Sequence, residues 1–498
     1  MRLSFSEETS ELLDMIRGEL GKGQELYLVG GAVRDVYLGR KINDLDFAMD
    51  GNPTALAKRL ARYLDVGFFV LDDERHTARV LYRTSEGDLS PLDFVQFSGG
   101  SLEGDLRLRD FTLNAMALSL RDLSNVIDPL NGLADLKAGL LRPCSDHALL
   151  DDPVRVLRGI RLALQFDLVF VDALPGQFRT AAAHLQLTSY ERQRDEFFKI
   201  LEGPNPAEGV RFCRKFNVFA TLIPPLIEQA DIPASPPHKL PLFDHTVAVV
   251  ESFHLMLEHI QSRSTKPEGS PWWLSVAVSE LSNFAGPMES FFSAEVTLGR
   301  SKRGLAILGA LLHDLGKPLT MKTGEDDRLH YVGHANVGAD LAWDAARRLQ
   351  LSNAEAGWIK TMVRRHMALL PLVNREQPLT REQIYRYYKD TNEVGVAIAL
   401  LSLADTVATY SNTLSREKWR AAVSITKDLL TAWWKHHAAV VSPTLLLDGN
   451  DLQAEFGLKP GKQIGRLLKC LREAQAVGKV TNLKEAKAFI RSRIDQSQ

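Results

Sequence analysis

The chain has 498 residues, 45% of them hydrophobic and 24% charged, with a formal net charge of -2. That is an ordinary globular balance, long enough for about three domains, and it excludes a strongly basic protein while leaving room for local basic patches. Three widely spaced cysteines, Cys144, Cys213 and Cys470, argue against a disulfide framework and fit a reducing cytosol. The N-terminal stretch MRLSFSEETSELLDMIRGEL has no apolar signal core, and no run approaches the ~18 apolar residues of a membrane span, so a cytoplasmic protein with no membrane partner is expected.

In chain order, residues 1–145 mix strand and helix periods and are expected to form an α+β head, a mixed sheet with helices. ELYLVGG and DLDFAM read as strands, PTALAKRLARYL as a helix with proline near its start, and FFVLD, TARVLY and PLDFVQF as further strands. Within this head, Gly30 and Gly31 follow a strand and permit a tight turn with the backbone close to a ligand. A helix opening near Val33 would aim free N–H groups at phosphates, with Arg34 beside it. Asp44 and Asp46 lie two apart on a strand-like run and so point to one face. Paired carboxylates repel, and a bound cation resolves this; oxygen ligands suit Mg²⁺ on a phosphate-bearing substrate. A phosphate cradle ahead of a metal-binding acid pair describes a nucleotidyl-transfer site with two metals. A solvated strand end is the competing reading of the acid pair. Asp93, in LDFVQF, would complete a triad of acids or else is an edge-strand charge.

Residues 146–230 read as an all-α neck. DDPVRVLRGIRLALQF spaces Val154, Leu157, Ile160 and Leu164 three to four apart with arginines between. Asp152 and Arg155 would share one helix face, and an acceptor beside a two-pronged donor matches the edge of cytosine or, slightly rotated, adenine. A helix cap with an ordinary i,i+3 ion pair competes with that reading. Arg158 and Arg161 continue a basic stripe suited to triphosphate or RNA backbone, or to solvent. The proline-rich LIPPLIEQADIPASPPH reads as a linker. Residues 231–441 form a second helical block, in which 262–300 read as an insertion or mobile loop. Adjacent His313 and Asp314 sit in an apolar helix, where polar groups need a reason; His245, His334, His366 and Asp405 lie in or beside apolar runs. Residues 442–498 form a helical tail carrying Lys459, Lys462, Arg466 and Lys469.

GGAVRD, DLDF, RDFTLNAMAL, DPLNGLADL and DDPVRVLRGIRLALQF occur in the order found in the class II tRNA nucleotidyltransferase and bacterial poly(A) polymerase family, which the chain resembles over head and neck. The resemblance implies a polymerase-β-like catalytic head acting on an RNA 3′ end, with Asp44 and Asp46 as metal ligands. It implies ribose and triphosphate contacts for Arg109, Asp110 and Asn114, and base selection by Asp152 and Arg155. Two departures stand out: Leu108 replaces an arginine often found there, and Asp151 shortens the usual glutamate. The six residues His245, His313, Asp314, His334, His366 and Asp405 resemble the ligand set of HD-domain phosphohydrolases. Imidazole with carboxylate suits Mn, Fe, Ni or Zn, which would lower the pKa of a bound water, with Lys317 placed to neutralise a phosphate.

These resemblances imply an enzyme that adds C and A to tRNA from CTP and ATP with Mg²⁺, fused to an HD phosphohydrolase domain. The compact stretch from Thr84 to Asp110 keeps a CC-only or A-only specialist in view, followed by a poly(A) polymerase. A non-catalytic RNA-binding or nucleotide-sensing protein is the alternative of another class, against which the intact acids argue. The basic tail residues Lys459, Lys462 and Arg466 would contact RNA, as the family's tail would, or simply face water.

Overall fold

The computed structural model describes all residues except 1, 2, 4, 43, 74–75, 86, 88, 263–268, 326–327, 374–377 and 497–498. It divides into two compact units: residues 1–204 with 215–221, and residues 205–214 with 222–498. This partition is coarser than the four segments expected from the sequence.

The first unit is built on a seven-stranded sheet with strands β1 (Leu26–Val29), β2 (Leu45–Met49), β3 (Gly67–Asp72), β4 (Thr77–Arg83), β5 (Leu89–Gln96), β6 (Ala117–Ser119) and β7 (Asp122–Ile127). Their order is β3-β4-β5-β2-β1-β6-β7. β2 and β5 run parallel, while β1–β2 and β4–β5 are antiparallel. Helices α1 (Glu7–Gly18), α2 (Gly31–Tyr37) and α3 (Pro53–Leu64) accompany the sheet. Helix α3 begins where the sequence says it should: the Asn52 side chain accepts from the Ala55 N–H at 2.9 Å and Pro53 fills a position whose N–H has no helical partner. The sheet buries Leu28, Phe47, Phe94 and Leu118 on one face, with the Phe47 and Phe94 rings stacked at 5.0 Å. The same unit contains the neck helices Arg155–Phe166 and Tyr190–Leu201.

The neck corrects one expectation. Asp152 is neither in the helix nor its cap; the helix starts at Arg155, Val154 is its N-cap without a side-chain hydrogen bond, and Asp152 is extended at φ -148° and ψ 92°. The residue before a proline is pushed out of helical conformation, so Pro153 causes this.

The second unit is helical. Leu242–Gln261, Lys302–Leu312, His334–Arg348, Asn353–Arg365 and Val394–Tyr410 pack around buried apolar faces. The stretch Val394–Thr413 reaches the length and mean hydropathy, 1.5, of a membrane span, contrary to expectation, yet most of it is buried within the unit and it carries Asp405. It is the central core helix. The proline-rich stretch 222–238 is not a free linker: Leu226, Gln229 and Ile232 are buried and the Thr246 hydroxyl donates to Gln229 Oε1 at 3.2 Å. Residues 272–293 of the segment 262–300, expected to be an insertion or mobile loop, are largely helical. Residues 263–268 lie outside the described residues, but Trp272–Leu281 and Ala285–Ser293 are helices that bury Leu274, Leu281, Met288 and Phe292. The polar start of that segment masked its apolar continuation. The tail packs its own core around Leu452, Leu467, Leu471 and Ile490.

Candidate functional site

The first site lies in a cleft of about 470 Å³ in the first unit, lined among others by Gly30, Asp44, Asp46, Arg109, Arg158 and Lys199. Asp46 sits within β2, and Asp44 is the exposed residue just ahead of it. Strand alternation sends both carboxylates to one face. Burial pushes the Asp46 carboxyl up to about 6; Arg109 opposes this, while Asp93 and Asp44 add to it. A partly desolvated acid beside two others is a group that gains from a cation, and the donors are all oxygen, so these residues fit a hard divalent ion.

The parallel register places Asp93 directly beside Asp46. Asp93 is not free, however. Arg79, opposite it on β4, makes two hydrogen bonds of 2.7 Å to its two carboxylate oxygens. Arg79 was missed in the sequence, because an arginine in TARVLY reads as an ordinary outward strand residue.

The glycine turn has a steric reason. Gly30 has φ +75°, and a Cβ there would stand 3.1 Å from Arg109 Nη1 and 3.6 Å from Asp46 Oδ2. Helix α2 starts at Gly31, two residues before the expected point. Arg34 is buried, pairs with Asp35 at 2.9 Å, donates to Asn114 and lies over the Phe166 ring at 4.4 Å. Asp105 fixes Arg109 through contacts of 3.0 and 3.2 Å. Asp110 accepts from the Phe111 N–H at 2.7 Å, Asn114 at 3.1 Å and Arg158 at 3.0 Å. Burial would raise the Asp110 carboxyl, but Arg158 and these hydrogen bonds hold it below its ordinary range.

A second acid organises the basic wall. Glu196 lies 2.8 Å from Arg161, 3.4 Å from Lys199 and 3.6 Å from Arg158. It was missed, although a carboxylate on the buried face of YERQRDEFFKIL, among Gln193, Phe197 and Ile200, was a usable signal. Asp152 and Arg155 are near each other at 3.9 Å, but neither is a free reading edge. Arg192 donates to Asp152 at 2.6 Å, and Arg155 donates to the carbonyls of Leu108 and Ala148 at 2.9 Å each. Lys459, Lys462 and Arg466 are exposed at and after the turn that starts the tail helix Lys462–Ala476.

The second site gathers all six expected residues of the other unit. Asp314 is central: its Oδ2 is 3.1 Å from His313 Nε2 and 3.5 Å from His245 Nε2, and its Oδ1 is 3.5 Å from His334 Nε2 and 3.8 Å from His366 Nε2. Asp405 Oδ1 is 3.2 Å from His245 Nε2. His313, His334 and His366 each point Nδ1 at a backbone carbonyl, at 2.8, 2.7 and 2.7 Å. Those carbonyls accept the ring proton on Nδ1, and in His334 and His366, whose pKa burial lowers, an Nε2 lone pair is left turned inward. The His334 and His366 Nε2 atoms are then only 3.2 Å apart with no proton between them, an arrangement that a cation satisfies. Burial and the neighbouring His313 push His366 down to about 4, which favours the neutral ligand form. For Asp314, burial opposes ionisation, but His313 and Lys317 hold it well below the usual carboxylate range. Lys317 Nζ is 2.6 Å from Asp314 Oδ2. The donor set fits a divalent transition metal.

Comparisons with known proteins match four stretches of the chain. Residues 26–142 match the poly A polymerase head domain, 177–229 the RNA and SrmB-binding site of polymerase A, 242–410 the HD domain and 346–489 the tRNA nucleotidyltransferase domain 2. The chain is 31% identical over 469 residues to the A-adding tRNA nucleotidyltransferase of Deinococcus radiodurans, covering 93% of this chain and 94% of that one. It is 31% identical over 474 residues to the CC-adding tRNA nucleotidyltransferase of Thermus thermophilus, covering 94% and 93%. Among solved structures, the Thermotoga maritima CCA-adding enzyme complexed with tRNA shares the fold, with a TM-score of 0.59 and 22% identity over 98% of this chain and 95% of that one.

Proposed function

The chain belongs to the tRNA nucleotidyltransferase family whose head is shared with poly(A) polymerases, and on that premise we propose that this nucleotidyltransferase adds C and A residues from CTP and ATP to the 3′ end of tRNA without a template. The observation that carries the reading is the cleft in which Asp44 and Asp46 face Arg109, Arg158 and Lys199. The 3′ hydroxyl of the tRNA attacks the α-phosphate of the nucleotide, its proton leaves, and pyrophosphate departs. Arg109, fixed by Asp105, and Arg158, Arg161 and Lys199, held in place by Asp110 and Glu196, offer the positive charge that a triphosphate needs. Asp44 and Asp46 would hold Mg²⁺, which when bound neutralises phosphate charge and favours loss of the hydroxyl proton. Asp93 shapes the site from beside Asp46.

A narrower product is favoured by a specific observation. Two relatives 31% identical to the chain along more than nine-tenths of both lengths are an A-adding and a CC-adding enzyme. A specialist that adds only CC or only A is therefore the second reading. The test is extension of two tRNA substrates, one ending before its CCA and one ending in CC, with labelled CTP, ATP or both, followed by sequencing of the products. CCA, CC and A addition give different ends, and no extension at all would overturn the transferase reading.

The His/Asp cluster supports a phosphohydrolase of the HD type, acting on a phosphomonoester or a cyclic phosphodiester. His245, His313, Asp314, His334, His366 and Asp405 would hold the divalent transition metal, Mn, Fe, Ni or Zn, which when bound acidifies a water. Loss of hydrolysis of a 2′,3′-cyclic nucleotide in His313→Ala checks the assignment; retained hydrolysis would overturn it.

A further inference from the structure

One histidine close to the second site belongs to none of the expected ligands. His238 stands on the loop between Ile232 and Leu242, whose ends are tied by the Leu242 N–H donating to the Ile232 carbonyl at 3.0 Å. The loop is also fixed at its crown: His238 N–H donates to the Ser235 carbonyl at 2.9 Å, and Ser235 Oγ accepts from the Leu329 N–H at 3.2 Å. The imidazole lies edge-on to His245 with ring centres 4.7 Å apart.

Its nitrogens have defined neighbours. Nε2 is 3.4 Å from Lys317 Nζ, and Nδ1 is 3.5 Å from Thr409 Oγ1, which donates to Asp405 Oδ1 at 3.1 Å. An ammonium only donates, so Nε2 must accept and the ring proton sits on Nδ1, directed at Thr409. Burial, Lys317 and His245 push His238 down to about 4, in keeping with that neutral form. Both ring nitrogens are thus engaged away from the cluster, and the ring is not a seventh ligand. A chain runs from Asp405 through Thr409, His238 and Lys317 to Asp314, joining two of the residues that face the metal position.

Lys317 is 5% exposed, and its position matters because Asp314 Oδ2 attracts it directly at 2.6 Å. Without a second acceptor, the ammonium would be drawn wholly onto that carboxylate. We infer that His238 is a positioning residue of the HD centre, whose Nε2 holds the Lys317 ammonium at the rim of the cluster, where it binds a phosphate oxygen of the substrate. The inference rests on the reading of this centre as one that takes phosphate esters.

The test compares His238→Ala, His238→Asn and His238→Gln in the full chain loaded with Mn²⁺. Glutamine can return an acceptor near the Nε2 position and asparagine only near Nδ1. Inorganic phosphate binding is followed by calorimetry, with His313→Ala identifying the signal of this site, and bound metal by elemental analysis. Metal content should equal that of the unaltered protein in all three. Phosphate affinity should fall about tenfold in the alanine and asparagine variants and return to within about threefold in the glutamine variant, the effect of one hydrogen bond to a charged group. Loss of metal would make His238 a ligand and overturn the inference. So would unchanged phosphate affinity in His238→Ala, or no His313-dependent phosphate binding in the unaltered protein. Phosphate binding without hydrolysis of any cyclic or monoester probe would instead overturn only the hydrolase reading and leave the role of His238 standing.

Discussion

At the scale of single residues, the two sites are governed by how acids are held. Asp46 is the acid of the cleft that burial lifts, so its charge needs a counter-ion that Arg109 alone supplies only in part. Asp46→Asn should reduce tRNA extension by at least about a thousandfold, as expected when a group acting on the reacting atoms is removed, while the proposed hydrolysis at the HD centre is unchanged. Extension at more than a tenth of the normal rate would remove Asp46 from the proposed centre. Glu196 acts differently, as the anchor of three cations. Burial would raise its carboxyl, but Arg161, Lys199 and Arg158 bring it below the ordinary value of 4.5. A carboxyl depressed in the folded state stabilises above its unfolded value and ceases to do so as pH falls through the folded one. Glu196→Gln should therefore lose about 1–3 kcal/mol at pH 7, seen as a lower unfolding midpoint of the first unit. The gap should close as pH drops below 4.5. A gap constant from pH 7 to pH 3 would show that the loss is steric and not ionic.

At the scale of elements, the short turns set the geometry and were only partly legible in the sequence. The acid pair, the glycine turn and helix α3 could be read because local chemistry decides them: alternation, a proline start and a cap. What pairs with Asp93 could not, since the registers of β2 with β5 and β4 with β5 join residues far apart in the chain. The displacement of Asp152 was legible in principle, because Pro153 forbids helix before it; a periodic apolar pattern drew the helix too far back. The histidines show the same limit. Their residue types suggested a metal, but only the folded helices reveal that three of them point Nδ1 at carbonyls. Gly316 joins two of these elements. A Cβ there would lie 2.2 Å from the His334 carbonyl oxygen and 2.5 Å from the Gly338 nitrogen, too close for any neighbour to give way cheaply. Gly316→Ala should push the start of helix His334–Arg348 outward and carry His334 off the cluster. Bound transition metal should fall to less than about half, in line with the sensitivity of metal affinity to ligand placement, while tRNA extension persists. Full metal content in this variant would mean that the two segments can separate without moving His334.

At the scale of the whole molecule, the two compact units hold chemically different sites, and the difference can be read in their response to metal. The cleft of the first unit offers exposed and half-buried oxygens, suited to an ion that arrives with its nucleotide. The cluster of the second unit buries His245, His313, Asp314 and His366 almost completely, and turns the Nε2 atoms of His334 and His366 toward each other at 3.2 Å with no proton between them. A group that binds the folded state alone stabilises it by RT ln(1 + [L]/Kd), about 2.7 kcal/mol when free metal is a hundred times its dissociation constant. Removal of the transition metal by a strong chelator should therefore lower the unfolding temperature of the second unit and leave that of the first unchanged. Mn²⁺ or Zn²⁺ should restore it. Mg²⁺ should not, because it prefers oxygen ligands and keeps its own waters. His313→Ala should start at the lowered temperature and respond to neither chelator nor added metal, which ties the effect to this cluster and not to surface binding. The measurement is differential scanning calorimetry of the full chain, with each transition assigned by a destabilising core substitution in one unit: Phe47→Ala for the first, Leu308→Ala for the second. If chelation leaves the second transition in place, the inward-facing histidines are held without a metal and the HD centre is structural.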